Sequence, residues 1–481
     1  GLFGRFYGRV YFNQTLFQAL LNRFYPSRAG WRAVPRFFAT ALRAGWLLLI
    51  LPAQSQRMIA AILSQLRADG PRLPDRAVWQ RLGFAAMEIH LAVTVLAELL
   101  YQALDKLARH WGDGATTAVV LTAGLTGVRS AEAGQALTDL ARFAARDEAL
   151  HVQIETTPSE NLLVALDATD VGRAFAARFA AFLAEHGHGA AEEFELAAPR
   201  WRNEPLIALR AIQSQVLLET TDPRRPRANP TADRLAATAR LASRLGLLRR
   251  AFFRGLLHWA QTFIAARENL KYHFVIAHGR LRDAYLAQAR ALTAAGQLTD
   301  VADIFFLTAA ESDALAAGRL TAGAASEQVA ERRQQWEIDR QLAPPAVLEQ
   351  QTDGRYWPVS TPEETAGHSE TTLRGFAAGP GAYTGRARLV RTLDEGAALQ
   401  PGEVLVAPAA SPGWTPLFLT AGALITEIGG ALSHAAIIAR ERGLPAVLNV
   451  PGALTRIQTG QLVHVDGFAG TVRMLQNVED L

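Results

Sequence analysis

The sequence predicts a multidomain protein in which a mostly α-helical domain is followed by a small α/β (β/β/α) domain. Apolar residues recur every three or four positions through most of 14–345, which is the spacing of amphipathic helices. The stretch 343–372 has no sustained period and holds four prolines. From Leu373 onward, short strand-like runs alternate with glycine-containing turns. We therefore predict a helical domain over 1–342, a linker over 343–372 and an α/β domain over 373–481.

The helical domain is predicted from its composition as well as its periodicity. Ala, Leu and Arg, which favour helices, are abundant in it. The pattern predicts helices over 135–150, 171–186, 231–248, 251–292 and 322–340. Near its end we predict a short strand at 304–307, followed by the capping box of Thr308 and Glu311.

The linker is long enough to let the domain that follows it move. A flexible chain of about 30 residues has an end-to-end distance of roughly 30 Å. Beyond it, strand-like runs at 386–390, 403–407 and 424–426 come before the glycine pair at 429–430. A helix is predicted over 433–442, where the Gly443 and Pro445 that follow would end it.

Composition excludes several classes of partner and site. The net charge of +4, from 49 basic and 45 acidic residues, is too mild to indicate nucleic-acid binding. Arg224, Arg225 and Arg227 lie among prolines, which favours a solvated loop. The chain has no cysteine for disulfides or thiolate metal sites, and we expect no metal centre. Its longest apolar run, 45–51, is much shorter than the roughly 20 residues of a membrane span. We therefore expect a cytoplasmic protein without a membrane partner.

The clearest chemical signal is His434, which stands where a glycine-rich turn meets the start of a helix. Ser433 is a good N-cap, which makes His434 the first helical residue. The free N–H groups and partial positive charge of a helix N-terminus bind phosphate. The same charge disfavours imidazolium and leaves a neutral, nucleophilic nitrogen. The alternative is a tight strand-to-helix connection with a structural histidine, and the long ordered string around His434 favours the phosphate-carrying interpretation.

Four further residue types in this string suit an anion. Gly429 and Gly430 permit a tight turn and a close approach of the backbone to phosphate. Thr426 and Ser433 supply hydroxyl groups beside that turn. Arg440, about two helical turns along, either pairs with the phosphate or faces solvent.

The string 426–447 resembles the swivelling phosphohistidine domain of the phosphoenolpyruvate-utilising enzymes. The resemblance covers 379 to about 470 and includes the segments 401–408 and 411–418. It implies that His434 accepts a phosphoryl group and passes it on. It also assigns Thr426, Gly429, Gly430 and Ser433 to a phosphate-binding turn.

The order of the domains narrows this resemblance to one branch. Only 47 residues follow His434 in this sequence. A pyruvate-binding barrel of roughly 250 residues does not fit there, so phosphoenolpyruvate synthesis is not expected. A helical domain, a linker and a terminal histidine domain together resemble the rifampicin phosphotransferases and related antibiotic-kinase-like proteins.

The helical domain contains segments similar to that branch, and they carry a candidate acceptor site. Arg267 and Lys271 are four residues apart and share one helix face. Two adjacent cations suit a phosphoryl group that develops charge during transfer. The resemblance gives them this role, with Glu268 and His188 as further acceptor-site candidates. The alternatives are a solvated basic face and, for His188, a hydrogen-bonded histidine at a helix end. Gly189 departs from the arginine usual in the family after this histidine.

The resemblance implies an ATP-dependent dikinase-type phosphotransferase that is incomplete in this chain. No glycine-rich phosphate loop or magnesium-binding carboxylate pair is evident before residue 345. We therefore expect Mg-ATP to bind an ATP-grasp domain that lies upstream or on a separate chain. ATP would yield AMP and inorganic phosphate, and the β-phosphoryl group would pass through His434 to a hydroxyl of a small molecule, with a rifampicin-like antibiotic as one candidate. The alternative is a non-catalytic small-molecule-binding or phosphocarrier protein that retains the fold.

Overall fold

The computed structural model describes most of the chain, and the predicted linker lies almost wholly outside the described part. The described residues are 3–6, 9–12 and 34–475, with gaps at 71, 113–115, 191, 222–228, 342–347, 351–355, 359–370 and 411–413. Within the linker, the strands β3 (Leu348–Gln350) and β4 (Tyr356–Pro358) pair antiparallel. The predicted swing on this segment therefore stays a prediction, and Arg224, Arg225 and Arg227 also lie outside the described residues.

The helical prediction for the first part of the chain is confirmed. A hairpin of β1 (Phe3–Phe6) and β2 (Arg9–Phe12) comes first. The helices that follow are α1 (Val34–Asp69), α2 (Arg76–Trp111), α3 (Ala118–Leu121), α4 (Arg129–Ala145), α5 (Glu148–Thr156), α6 (Ser159–Leu166), α7 (Asp170–His186), α8 (Leu206–Thr221), α9 (Pro230–Arg244), α10 (Leu247–Ala294), α11 (Ala309–Ala316) and α12 (Ala322–Gln341).

The strand predicted at 304–307 is wrong, because this segment is the end of a 3-10 helix, Val301–Phe306. Its apolar run suggested a strand, but a capping box starts a helical turn just before it. The Asp300 carboxylate accepts from the amide of Ala302, and Asp303 Oδ2 accepts from the amide of Asp300 at 2.9 Å. The capping box predicted at Thr308 and Glu311 is confirmed, with Glu311 Oε2 accepting from the Thr308 amide at 2.7 Å.

The C-terminal part is a mixed sheet with helices, as the sequence predicts. In spatial order its eight strands are β5-β12-β11-β7-β8-β9-β10-β6. The strands β7 to β10 run parallel to one another, and every other neighbouring pair is antiparallel. The elements are β5 (Thr372–Arg374), β6 (Phe376–Gly379), β7 (Ala382–Leu389), β8 (Val404–Ala407), α13 (Thr415–Thr420), β9 (Ala423–Thr426), α14 (His434–Arg442), β10 (Ala446–Leu448), α15 (Ala453–Arg456), β11 (Leu462–Asp466) and β12 (Thr471–Met474).

Helix α14 is held close to the sheet by small residues. Ala435, Ala436 and Ala439 belong to the apolar core that also contains residues of β8, β9 and β10. A side chain at Gly379 of β6 would place its Cβ 2.9 Å from the Cβ of Ala439. Because the contact leaves no room for a methyl group, the start of α14 is fixed beside the carboxyl end of β9, where ligands bind in open α/β sheets.

The chain divides into two compact units whose boundaries differ from the predicted domain boundaries at 342 and 372. One unit contains 55–68, 78–279 and 367–481, so the α/β domain clusters with helices of the preceding region. The other contains 1–54, 69–77 and 280–366. In that second unit Arg332 binds both carboxylate oxygens of Glu311, at 2.6 and 2.8 Å. The packing of α14 on helices of the first unit, described below, accounts for the difference from the predicted division.

Two helical segments, Gly45–Asp69 and Arg76–Trp111, have the length and apolar composition that a membrane crossing requires. The interior helix of a globular domain meets the same two criteria, so the finding is weak evidence for a membrane. Our expectation that the chain has no membrane partner stays a prediction.

Candidate functional site

His434 is the first residue of α14, as predicted, and its side chain is buried. Ser433 is the N-cap, and its hydroxyl accepts a hydrogen bond from the amide of Ala436 at 3.3 Å. The side chain of His434 is only 6% exposed. The imidazole therefore sits at the positive end of a capped helix and next to the carboxyl end of β9.

The two ring nitrogens of His434 have different surroundings. Nε2 lies 2.9 Å from the hydroxyl of Thr415, and the Phe418 ring is 6.3 Å away between centroids. Nδ1 is buried and has no hydrogen-bond partner among the described residues. An orphaned buried nitrogen is unusual in a structural histidine and normally calls for an explanation. With Nε2–H donating to Thr415, the lone pair of Nδ1 is available as a nucleophile.

The pKa of His434 is lowered well below its ordinary value of 6.5. Burial is the main cause, and the positive charges of Lys271 and Arg267 add to it. The imidazole is therefore neutral near pH 7, which is the form that can attack phosphorus. His434 therefore lies close enough to the two predicted acceptor-site cations for their charges to act on it.

Arg267 and Lys271 are each paired with a carboxylate. The guanidinium of Arg267 binds Glu268, whose Oε2 also accepts from the Ser130 hydroxyl at 3.1 Å. Lys271 Nζ lies 3.1 Å from Glu193 Oε2. Glu268 is 1% exposed, so the alternative of a solvated basic face is wrong for these residues. The site is a buried arrangement of two cations and two carboxylates.

Glu193 completes this arrangement and was not singled out from the sequence as a site residue. Burial raises its pKa, and the charge and hydrogen bond of Lys271 oppose that rise. The ring of the neighbouring Phe194 lies 5.6 Å from Lys271 Nζ and is 52% exposed. Glu193 lies 78 positions from Lys271 in the sequence, so helical spacing could not have paired them.

His90 of α2 is a second residue that sequence reasoning missed. Burial lowers its pKa to about 3, and the charges of Arg267 and Lys271 contribute. Its Nε2 lies 3.4 Å from the Thr94 hydroxyl, and its Nδ1 is buried without a hydrogen-bond partner among the described residues. A histidine on an amphipathic helix has no distinctive local signal, which explains why the sequence did not reveal it.

The residues predicted to form a phosphate-binding turn differ in their contacts and surroundings. The Thr426 hydroxyl donates to the carbonyl of Ile428 at 3.0 Å and closes the turn from within. A Cβ at Gly429 would lie 3.2 Å from Thr426 Oγ1, so the backbone there is closely packed. A Cβ at Gly430 would meet nothing within 4 Å. The open space beside the turn is therefore at Gly430, next to the cap residue Ser433.

Arg440 is not placed to bind phosphate as the sequence suggested, and it does not face solvent either. Its side chain is 1% exposed, and all three guanidinium nitrogens donate to protein oxygens. Nε donates to the carbonyl of Ala436 at 3.0 Å, one terminal nitrogen donates to the Thr122 hydroxyl at 3.1 Å, and the other donates to the carbonyl of Ala431. Arg440 therefore braces the turn and α14 against the helical region, because its hydrogen-bonding groups are directed at protein atoms.

His188 lies in a separate cluster of aromatic residues. Its ring stands perpendicular to that of Tyr272, with 4.5 Å between centroids. Burial lowers its pKa to about 3, and His186 and Arg202 are the next causes. The charges that act on it come from His186, Arg202, His273 and Arg200. Glu268, the other acceptor-site candidate, is paired with Arg267.

Comparisons with known proteins agree with this architecture. Residues 87–268 match the model described as "Rifampicin phosphotransferase fourth domain", and 399–470 match "PEP-utilising enzyme, mobile domain". A rifampicin phosphotransferase of Streptomyces sviceus is 29% identical over 88% of this chain and 49% of its own length. A prodigiosin synthesizing transferase of Serratia marcescens is 29% identical over 81% of this chain and 43% of its own. A chondramide synthase of Chondromyces crocatus is 30% identical over 72% of this chain and 9% of its own.

The chain spans half or less of the length of these relatives. The first matched model includes Arg267 and Glu268, and the second includes His434. The resemblance predicted from the sequence is confirmed at the level of domains. The chain carries a rifampicin phosphotransferase fourth domain followed by the mobile domain of the PEP-utilising enzymes, and it belongs to a phosphotransferase family.

Proposed function

We propose that this chain carries a phosphoryl group on His434 and transfers it to a hydroxyl of a small molecule bound near Arg267 and Lys271. The observation that supports this most is the buried, neutral imidazole of His434 within the electrostatic reach of both cations. A neutral ring can accept a phosphoryl group, and two nearby cations can stabilise the charge of its transfer.

Each half-reaction conserves its atoms and charges. In the first, the unprotonated imidazole nitrogen attacks phosphorus, an N–P bond forms, and the bond to the leaving group breaks. The proton on the other ring nitrogen is released to the leaving group or to water. In the second, the acceptor oxygen attacks phosphorus and the N–P bond breaks. Its electron pair returns to the ring, which takes up the hydroxyl proton. Mg-ATP on an ATP-grasp domain is our proposed source of the β-phosphoryl group. AMP is the leaving group, and the γ-phosphoryl group passes to water and is released as inorganic phosphate.

The acceptor we propose is a hydroxylated and largely apolar small molecule. The half-exposed ring of Phe194 beside Lys271 offers an apolar surface next to the cationic group. Of two relatives, one is named as a phosphotransferase of rifampicin and the other as a transferase that synthesizes prodigiosin. A rifampicin-like antibiotic is one candidate, and a role in antibiotic resistance would follow only from that acceptor.

The proposal can be tested on this chain without a nucleotide domain. Phosphoramidate is a small phosphoryl donor whose P–N bond breaks with loss of ammonia. Incubation with it is expected to give one acid-labile phosphate per chain, mapped to His434 by mass spectrometry of peptides prepared at alkaline pH. Phosphate found on other histidines to the same extent, or on none, would refute the proposed carrier role.

The Thr415 hydroxyl is expected to orient the ring of His434 for this reaction. Thr415→Val keeps the shape of the side chain but removes the 2.9 Å contact with Nε2. A buried hydrogen bond contributes about 1 kcal/mol, so we expect roughly fivefold slower phosphorylation of His434. The initial rate with phosphoramidate measures the effect, and Thr415→Ser, which keeps the hydroxyl, serves as the control. Equal rates in the two variants would show that the contact has no such role.

A further inference from the structure

Three consecutive charged residues at the end of α14, Arg440, Glu441 and Arg442, contact the helical region. Arg440 donates to the Thr122 hydroxyl at the end of α3 at 3.1 Å, and its guanidinium lies 5.3 Å from the ring centre of Tyr101 on α2. Consecutive helix residues point in directions about 100° apart. These three side chains can therefore reach three different places on the surface that α14 meets. We call residues 440–442 the docking turn.

Glu441 binds a backbone amide in the segment between α3 and α4. Its Oε1 accepts from the amide of Leu125 at 3.1 Å. The charged groups that act on the carboxylate are Arg440 on the same helix, Arg234 on α9 and Glu268 on α10. The contact is therefore made to the helical region from within a mostly buried environment.

Arg442 reaches α4 and depends on a glycine there. Its guanidinium donates to the Thr138 hydroxyl at 2.8 Å. A Cβ built at Gly134 would lie 2.7 Å from a terminal nitrogen of Arg442, which is too close for a real contact. The guanidinium thus lies across the helix surface at the one position in that turn of α4 where no side chain intervenes.

The docking turn and His434 are opposite ends of one rigid element. Nine residues of helix span about 12 Å at 1.5 Å per residue. Fixing residues 440–442 on the helical region therefore also fixes where His434 stands relative to Lys271 and Arg267. We propose that Arg440, Glu441 and Arg442 are positioning residues that hold the α/β domain in the acceptor-facing arrangement. The inference rests on the proposed transfer from His434. These contacts would form when the phosphoryl group passes to the acceptor and break when His434 is phosphorylated again.

The environment of Glu441 gives this contact a pH dependence. Burial raises the pKa of Glu441 from 4.5 to about 7, although the hydrogen bond from Leu125 and the charges of Arg440 and Arg234 oppose the rise. A raised pKa means that the docked state binds the proton more tightly than an exposed carboxylate would. The contribution to docking is therefore complete below about pH 4.5 and is lost as the pH rises through about 7. His434 has the opposite effect: because its pKa is lowered, its protonation below about pH 6.5 disfavours the docked state. The contribution of Glu441 alone is therefore obtained by comparing the pH dependence of docking in the wild type with that in Glu441→Gln.

Docking can be measured as a distance, without any catalytic assay. The chain has no cysteine, so Ala149→Cys on α5 and Ala469→Cys between β11 and β12 give two unique sites for nitroxide labels. Both positions are exposed. Pulsed electron spin resonance on the full chain then reports how the α/β domain is distributed relative to the helical region. We expect one dominant, narrow distance in the wild type.

Variants on both sides of the contact should change this distribution. Arg442→Ala removes the charged hydrogen bond, and we expect the ratio of docked to undocked molecules to fall about tenfold or more. Gly134→Ala should act similarly from the other side, because the methyl group displaces the guanidinium while alanine favours the helix of α4. Arg374→Ala, which removes an exposed arginine of β5, is the matched control and should leave the distribution unchanged.

The outcomes separate this inference from the proposed function. Distributions that are the same in wild type, Arg442→Ala and Gly134→Ala, with unchanged unfolding temperature, would overturn the docking role. In the labelled Glu441→Gln variant, the change of the distribution between pH 5 and 8 should be smaller than in the wild type, and an equal change would remove Glu441 from the proposal. If the distances respond as expected but phosphoramidate never labels His434, the carrier function fails while the docking contacts stand.

Discussion

Replacing His434 by alanine is expected to abolish phosphoryl transfer to the acceptor and leave no phosphorylated form of the chain. The methyl group of alanine offers no nitrogen to attack phosphorus, and His90, which lies near the same cations, is inside α2 and not at a helix N-terminus. Among the described residues, the buried His90 is the other histidine on which Arg267 and Lys271 act, and its pKa is lowered to about 3. The measurement is acid-labile phosphate per chain after treatment with phosphoramidate. It should fall to background in His434→Ala.

The matched control for this substitution is His464→Ala in the same domain. The ring of His464 bonds to the Thr384 hydroxyl at 2.8 Å, within the pair of strands β7 and β11. We expect its removal to leave labelling at the wild-type level. If His434→Ala incorporated as much phosphate as the control, another residue would carry the phosphoryl group and the proposed role of His434 would be refuted.

The second large effect is expected at the paired cations. Lys271→Met should slow transfer from phosphorylated His434 to the acceptor by roughly 10²–10³-fold, which is the range for removing one group that stabilises transition-state charge. Arg267→Met should have an effect of similar size. Phosphorylation of His434 by phosphoramidate should stay within about twofold of wild type in both variants. The assay follows the decay of the phosphohistidine at fixed acceptor concentration.

Loss of stability has to be separated from loss of transfer in these variants. Lys271→Met leaves the buried carboxylate of Glu193 unpaired, which costs about 3–5 kcal/mol in comparable buried pairs. The double variant Lys271→Met with Glu193→Leu removes both charges and should recover much of the unfolding temperature. Its transfer rate should stay low. If transfer recovered together with stability, Lys271 would be a structural residue only.

The sequence predicted those features that depend on neighbours along the chain. A serine before His434 and a glycine at 443 mark a helix with its N-cap and its left-handed C-cap, and the structure has both. The spacing of Arg267 and Lys271 placed them on one helix face. The capping box at Thr308 and Glu311 was predicted for the same reason, because it links residues only three positions apart.

What the sequence could not supply were contacts between distant segments. Thr415 meets His434 across 19 positions, and Arg440 meets Thr122 across 318. The solvent-facing or phosphate-binding alternatives for Arg440 both failed because packing against the helical region buried it. A contact of the same kind places His188 against the ring of Tyr272, 84 positions further along the chain.

The two carboxylates beside the cations have a consequence for free anions. Because Arg267 and Lys271 are already paired with Glu268 and Glu193, the two cations are less able to attract dissolved phosphate or sulfate than unpaired cations would be. A phosphoryl group delivered on a tethered imidazole needs no such attraction, since its local concentration is set by the covalent link. We therefore expect millimolar inorganic phosphate to compete poorly with phosphorylated His434 for this site. An arrangement of this kind would let a transfer enzyme work in a phosphate-rich solution without inorganic phosphate filling its acceptor site.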